Sequence, residues 1–553
     1  MDKIEPTLKR QLNKDENVPY PDFENMWSRM EEAGHTSAVV DSIPARVSTR
    51  RHKSWRRIAM AASLSALLAA APVYAAIHYD WGNLLQDKGG LQAVLDQNRG
   101  QSLGQTISRD GVTLTLRTAI VDENRTVILY NLDVGKRVDT EFWDLKDLSL
   151  KDEHGKNSEG EFSYLQWDEK NQRYNGYFES DWSPQQETAK VTLTADILQL
   201  YSQQEENLQL DSSSEQVQSF QIGKDGLQKI EVKAFKQSVD KILFSSAITF
   251  DQTEAKAWAF PQITPVVQGK TLHALSGSTY GQPGDHGEYT TQQYFKRSDL
   301  PAGQTTYKLQ YTKVEKNIDG PWKFDLQLSK KQMESGTIKT ALNLPLESGD
   351  DNHIIEKMVV TPTQIRVAVR SKVKGFADIP YQKISLEVNG RTLEGGLYRS
   401  PKDDPYLRSY KFELPSDLVI TKETPITFVG KYKVTTHQDD KIPVLLTDIS
   451  NKKQTLNSEV GGYPVHWTYY MQGEDLYVET GSEDAHFGGI NQTHINLGAD
   501  RIIGKPVTVN FSGDGNNKAI DVYKGFKEKE ASLYMFYYTT DDPDKETRVQ
   551  LQP

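Results

Sequence analysis

The residues able to do chemistry are scattered along this chain. Gly277-Ser278-Thr279-Tyr280-Gly281 places a serine among glycines, one position out of register for a nucleophile elbow, and reads as a loop. His466, His486 and His494, with Glu483 and Asp484 close by, are the densest group with metal-ligand character. A metal would need these side chains to converge in space, and ordinary loop polarity explains them as well. Ser512-Gly513-Asp514-Gly515-Asn516-Asn517 and Asp541-Asp542-Pro543-Asp544 offer oxygen ligands to calcium. Neither has the spaced acids and distal Glu of a calcium loop, and turn chemistry accounts for both. Trp467, Tyr469 and Tyr470 have faces on which sugars stack, although strand cores use the same residues. The sequence holds no H-E-x-x-H, no phosphate-binding loop and no dinucleotide fingerprint. It contains no cysteine, which rules out disulfides, thiolate metal sites and cysteine nucleophiles. The expectation is a protein that is not an enzyme and carries no cofactor or metal.

The order of the chain is more informative. Ile58 to Ile77 is 20 residues long and uncharged. As a helix it would span roughly 30 Å, the thickness of a bilayer's hydrocarbon core. Arg46, Arg50, Arg51, Lys53, Arg56 and Arg57 precede it, and the next charge is Asp80. That asymmetry predicts a single-pass cell-membrane protein with a cytoplasmic N-terminus and an extracellular C-terminal region. Ala71-Pro72-Val73-Tyr74-Ala75 also resembles a small-residue cleavage site, with Val73 and Ala75 in its specificity positions. Beyond the run, Tyr79 and Trp81 are expected at the membrane interface, followed by a short helix ending near Gly100.

Before the run, Phe23, Met26, Trp27 and Met30 fall at i, i+3, i+4 and i+7, one apolar stripe. A segment this short cannot bury a core of its own. Its two Met, Trp and Phe suit docking into a groove on a cytosolic partner; a weakly folded tail with chance periodicity is the alternative. Residues 1–57 carry net charge +2 and the rest −13. The acidic remainder argues against nucleic-acid binding.

From Gln105 onward, period-two alternation dominates. Val112–Leu116, Thr126–Tyr130, Lys190–Thr194, Tyr307–Tyr311, Gln364–Val369 and Leu533–Tyr538 are strand candidates. Asn389-Gly390 marks a two-residue hairpin. Asp110-Gly111, Asp225-Gly226 and Asp351-Asn352 each open a strand, a polar turn and a second strand. These starts predict one β-sandwich per unit, with boundaries near 220, 347 and 450.

The unit from Asp110, with Gly111, Val112, Leu114, Leu116, Val121, Asp122, Arg125, Thr126, Ile128 and Tyr130, resembles a family of Gram-positive membrane proteins. That family is the domain-of-unknown-function family numbered 4179, described as anti-sigma-factor-like. Gly320-Pro321-Trp322-Lys323-Phe324 looks like its G-x-W-x-F strand, placed by sequence near the end of the second unit. The segment around Val360-Thr361-Pro362-Thr363 resembles the Ig-like domain that often follows. The resemblance implies an extracytoplasmic-function sigma factor as partner, held by the cytoplasmic head until an outside signal triggers proteolysis. The His-Cys zinc signature of the best-known anti-sigma heads is absent.

The expected fold is mainly β: a tandem Ig-like β-sandwich ectodomain on a single transmembrane helix, with a short α-helical cytoplasmic head. The divisions are 1–57 for the head, 58–77 for the span and 78–220 for a membrane-proximal helix plus the first sandwich. The second sandwich is 221–347, the third, Ig-like one 348–450, and the C-terminal β domain 451–553. Expected partners are a sigma factor inside, the bilayer, and an extracellular ligand or wall component outside. The competing reading is a cell-surface adhesion or wall-associated structural protein.

Overall fold

A computed structural model describes residues 81–553, except 163–164, 237–239, 276, 285–286, 373–378, 399–403, 439–442, 498–499 and 509–516. The apolar stripe, the 58–77 run, Val73 and Ala75 lie outside the described residues. Among the described residues no helix is long and apolar enough to cross a membrane.

The described chain is mainly β, in four sheets. Strands run antiparallel, and inward apolar residues alternate with outward polar ones. Tyr307, Leu309 and Tyr311 point inward on one strand, and Phe324, Leu326 and Leu328 do so further along the same strand. The expected turns form. Asp110-Gly111, Asp225-Gly226 and Asn389-Gly390 all have positive φ and close two-residue hairpins, because both central positions must be left-handed to match strand twist.

The repeat is longer than expected. The first large sheet runs through strands starting at residues 101, 112, 126, 173, 157, 149, 188, 305, 262 and 270. Another repeats the same path with strands starting at 338, 350, 364, 407, 391, 381, 426, 531, 487 and 500. The two five-stranded sheets match likewise: 218, 227, 241, 289, 279 against 454, 463, 475, 519, 505. Equivalent strands lie roughly 225–240 residues apart, so the chain is two copies of one two-module half. The hairpin at Asp110 corresponds to the one opening near Asp351. The hairpin at Asp225 corresponds to the one at Gly461-Gly462, not to either of those.

The modules of a half are interleaved, so the boundaries near 220, 347 and 450 do not cut the chain into consecutive cores. Strands Thr188–Leu208 and Thr305–Ser329 pair along nearly their whole length. One end supplies Leu193, Leu198, Trp322 and Phe324 to the first core, and the other supplies Leu208, Tyr307, Leu309 and Tyr311 to the second. At about 3.3 Å per residue the longer strand reaches about 80 Å. In the second half, Ala531–Gln552 serves the third core through Leu551 and the fourth through Leu533 and Met535, paired along its length with Ile426–Gln438, which supplies Ile426 and Phe428 to the third. Trp322, expected near the end of the second unit, is instead a fully buried residue of the first core. Its strand has returned there by the time it reaches residue 322.

Among the described residues the two halves touch at two places. The sheets of the second and fourth modules meet through Phe235, Leu243 and Tyr294 against Tyr477, Ile520 and Val522. Lys233 lies within this contact, 4.0 Å from the Tyr477 ring centroid, and donates to Gln472 Oε1. The first and third modules meet at the junction described next.

Candidate functional site at the junction of the halves

The junction is built on one tight turn. Strands Val112–Val121 and Thr126–Asp133 are apolar on both faces next to the turn that joins them, where Val121 and Ile128 face the first core and Ile120, Val127 and Leu129 face a helix on the other side. The four residues joining them are polar. Asp122 Oδ1 accepts from the backbone N–H groups of Asn124 (2.8 Å) and Arg125 (2.9 Å), and Asp122 N donates to Arg125 O at 2.9 Å. The carboxylate therefore fixes the turn. Thr126 Oγ1 donates to Trp182 O and ties the next residue down.

Thr361–Gln364 is the equivalent turn of the second half. Thr361 N donates to Gln364 O at 2.9 Å, and the Thr361 hydroxyl accepts from Gln364 N. The two turns lock tip to tip. Thr363 Oγ1 donates to Asp122 Oδ2 (2.5 Å), and Asn124 Nδ2 donates to Val359 O (3.1 Å).

Arg125 completes the contact. It is wholly buried and donates to Glu179 Oε1 (2.8 Å), to both oxygens of Glu413 (2.9 Å each), and to Thr363 Oγ1 (3.0 Å) and Thr363 O (3.2 Å). Glu179 belongs to the first half and Glu413 to the second, so one guanidinium bridges both. The fork geometry suits arginine and not lysine. Lys88 Nζ stands 2.6 Å from Glu179 and 3.4 Å from Glu413; Lys411 Nζ stands 3.9 and 3.6 Å from the same two. Three cations and the carboxylates of Asp122, Glu179 and Glu413 balance, as a buried cluster requires. Burial alone would raise the pKa of Glu179, but Arg125 first, then Lys88 and Lys411, outweigh it and hold the carboxyl well below the usual range. Glu413 is lowered too, with burial opposing and Arg125 and Lys88 prevailing.

The third element is the segment from Trp81 through helix Gly89–Asp96. Trp81, Leu85, Leu91 and Val94 pack with Ile120, Val127, Leu129 and Met333. The helix was legible in the sequence. Trp81, expected at a lipid interface, is instead 5% exposed in this protein core. Gly90 N donates to Leu414 O at 2.6 Å, and a Cβ on Gly90 would stand 2.5 Å from Thr363 O. Glycine permits that approach, so the segment is wedged against the backbone of the second half.

The chemically suggestive residues found in sequence do not assemble. Ser278 Oγ donates to Leu275 O and accepts from Tyr294 N, closing a loop. His466 bonds Asn457, His486 bonds Asp541 O, and His494 is buried against Tyr534 and Phe536. Among the described residues no group of three or more His, Cys, Asp or Glu could hold a metal. Asp541–Asp544, expected in a turn, lies inside strand Ala531–Gln552, where Tyr432 OH donates to Asp541; residues 512–516 are outside the described residues. Trp467 and Tyr469 are core. Tyr470 lies on the opposite face, stacked on Tyr477 beside the contact between halves. The junction network was not recognised in sequence as a site, although Asp122, Arg125 and Thr126 carried the family resemblance.

A search of curated proteins gives no match to the chain. Among solved structures, a conserved domain protein from Bacillus anthracis aligns over 57% of this chain and 91% of that chain, at 11% identity and a TM-score of 0.16, a likeness that carries no argument. Residues 50–133 match the family model described as Domain of unknown function (DUF4179), a match that contains the Asp122–Arg125 turn and ends with the strand that follows it.

Proposed function

We infer that this chain is a single-pass, non-catalytic membrane signalling protein of the anti-sigma-factor-like kind. In this reading residues 1–57 are cytoplasmic and hold an extracytoplasmic-function sigma factor through Phe23, Met26, Trp27 and Met30. Residues 58–77 cross the bilayer, and the β modules sense a ligand or wall component outside. The DUF4179 match supports the reading. The observation that carries it is the wedge. Only three residues separate Ile77 from Trp81, where the chain enters a core of the first half, and Lys88 and Gly90 a few residues on touch Glu413 and Leu414 of the second half. Any outside event that alters how the halves meet would therefore pull on the segment next to the span. Cleavage at Val73 and Ala75 would release the head from the modules.

The test is capture of purified extracytoplasmic-function sigma factors by the full chain in detergent, beside a Phe23→Ala/Trp27→Ala variant. Specific capture by the wild type, lost in the variant, supports the reading; no capture, or equal capture by both, refutes it. A second reading, a wall-associated structural protein, is favoured by one observation. Strands of 21 and 25 residues run through two cores, paired along nearly their whole length apart from two bulges, as a stiff spacer would require. It predicts binding to wall polymer that is indifferent to both substitutions.

A further inference from the structure

A cleft of about 1520 Å³ opens beside the junction, between the first and third modules. Its two walls differ in charge. The third-module wall presents Lys339, Lys357, Arg366 and Tyr398, and no acid. The first-module wall is net acidic: it presents Asp152, Glu153 and Asp181 against Lys156 and His154, with Glu123 at the rim held by Lys330 and Lys339. Between these lie Trp182 and uncharged hydrogen-bonding side chains, among them Asn157, Ser158, Gln185 and Gln186.

Arg366 is the unexplained group. Its guanidinium lies 4.3 Å from the Tyr398 ring centroid, and its Nε and Nη2 are buried with no acceptor. No carboxylate among the described residues answers it, and none answers Lys357. Arg366 pairs with Val359 in the sheet, and Lys357 is two residues along the same neighbouring strand. The two cations are thus diagonal neighbours, about 7–8 Å apart. A partly buried guanidinium without an acceptor is costly unless one arrives from outside, and a carboxylate or phosphate fits its fork. The acidic wall opposite would repel a dense polyanion. The amides and hydroxyls suit a hydroxyl-rich chain, whose many donors and acceptors they can answer. The volume exceeds the roughly 300–1,000 Å³ of small-molecule pockets, so the site has room for several units.

We propose that this cleft binds an acidic oligosaccharide, with Arg366 and Lys357 clamping one anionic group and Tyr398 fixing the plane of the guanidinium. The site does not depend on what the N-terminal segment holds. The test is calorimetric titration of the full chain in detergent with a hyaluronate hexasaccharide, which carries isolated carboxylates, and with neutral cellohexaose. Hyaluronate is expected to bind more tightly than cellohexaose. Arg366→Gln is expected to weaken it about tenfold, the scale of one charge-assisted hydrogen bond, and Lys357→Gln less. Arg366→Lys should recover part of the loss, and thermal midpoints of all three variants should be no lower than that of the wild type. No binding of hyaluronate at millimolar concentration, equal binding of the two sugars, or undiminished binding by Arg366→Gln each overturns the proposal, whatever the sigma-factor capture shows.

Discussion

Replacing Arg125 with Met keeps most of the volume and removes the charge. The substitution deletes five hydrogen bonds, three to carboxylates and two to Thr363, and leaves Glu179 at 1% exposure without its main partner. Breaking a buried ion pair by removing one partner costs about 3–5 kcal/mol. Lys88 remains 2.6 Å from Glu179 and Lys411 3.6 Å from Glu413, so the lower end applies, about 3 kcal/mol. This energy holds the halves together at one of their two contacts, so it should appear as local opening. Amide hydrogen exchange is the assay. The Gly90 N–H, bonded to Leu414 O across the junction, should exchange about 150-fold faster, since each 1.4 kcal/mol is about tenfold. Amides of 361–364 should follow, while the fourth-module core around Trp467 stays protected. Exchange at Gly90 within threefold of wild type, or equal acceleration everywhere, would refute the view that Arg125 fastens the halves.

Four further outcomes follow from the same contacts. Gly90→Ala forces a Cβ to 2.5 Å from Thr363 O and should cost about 1–3 kcal/mol, read as a lower urea midpoint. Glu179 and Glu413 have folded pKa values below their ordinary 4.5, so the stability they give is complete above pH 4.5 and falls as the pH drops through the folded values. The urea midpoint should therefore decline below about pH 4.5, and decline less in Glu179→Gln. Lys233 is pushed down to about 8, by burial first and Lys524 second, so between pH 8 and 10.5 the unfolded chain holds a proton the folded one has lost. Stability should rise with pH across that window, and the rise should vanish in Lys233→Met. Trp322→Ala should cost about 3–5 kcal/mol and loosen amides of 112–133 before those of 227–250, because Trp322 fills the first core.

The sequence by itself determined the features set by local backbone preference. Alternating Val, Thr, Leu and Tyr made the chain mainly β. Asp110-Gly111, Asp225-Gly226 and Asn389-Gly390 fixed their hairpins because few other residues accept two successive left-handed positions. Leu91 and Val94 announced the short helix. Local pattern could also point to the turn around Asp122 and Arg125, since an arginine between two apolar strands must be answered somewhere. It could not say by what: Glu179, Thr363 and Glu413 are 54, 238 and 288 residues away along the chain.

Only the tertiary structure decided the length of the repeat. Each hairpin looks like the start of a sandwich of its own, but strands Thr188–Leu208 and Thr305–Ser329 each serve two cores. The repeating unit is therefore a pair of modules. The same cause put Trp322 in the first core and took Trp81 from the expected lipid interface into protein. Alternation records which face of a strand is buried; which core that face meets depends on where the chain returns, and nothing in a period of two records that.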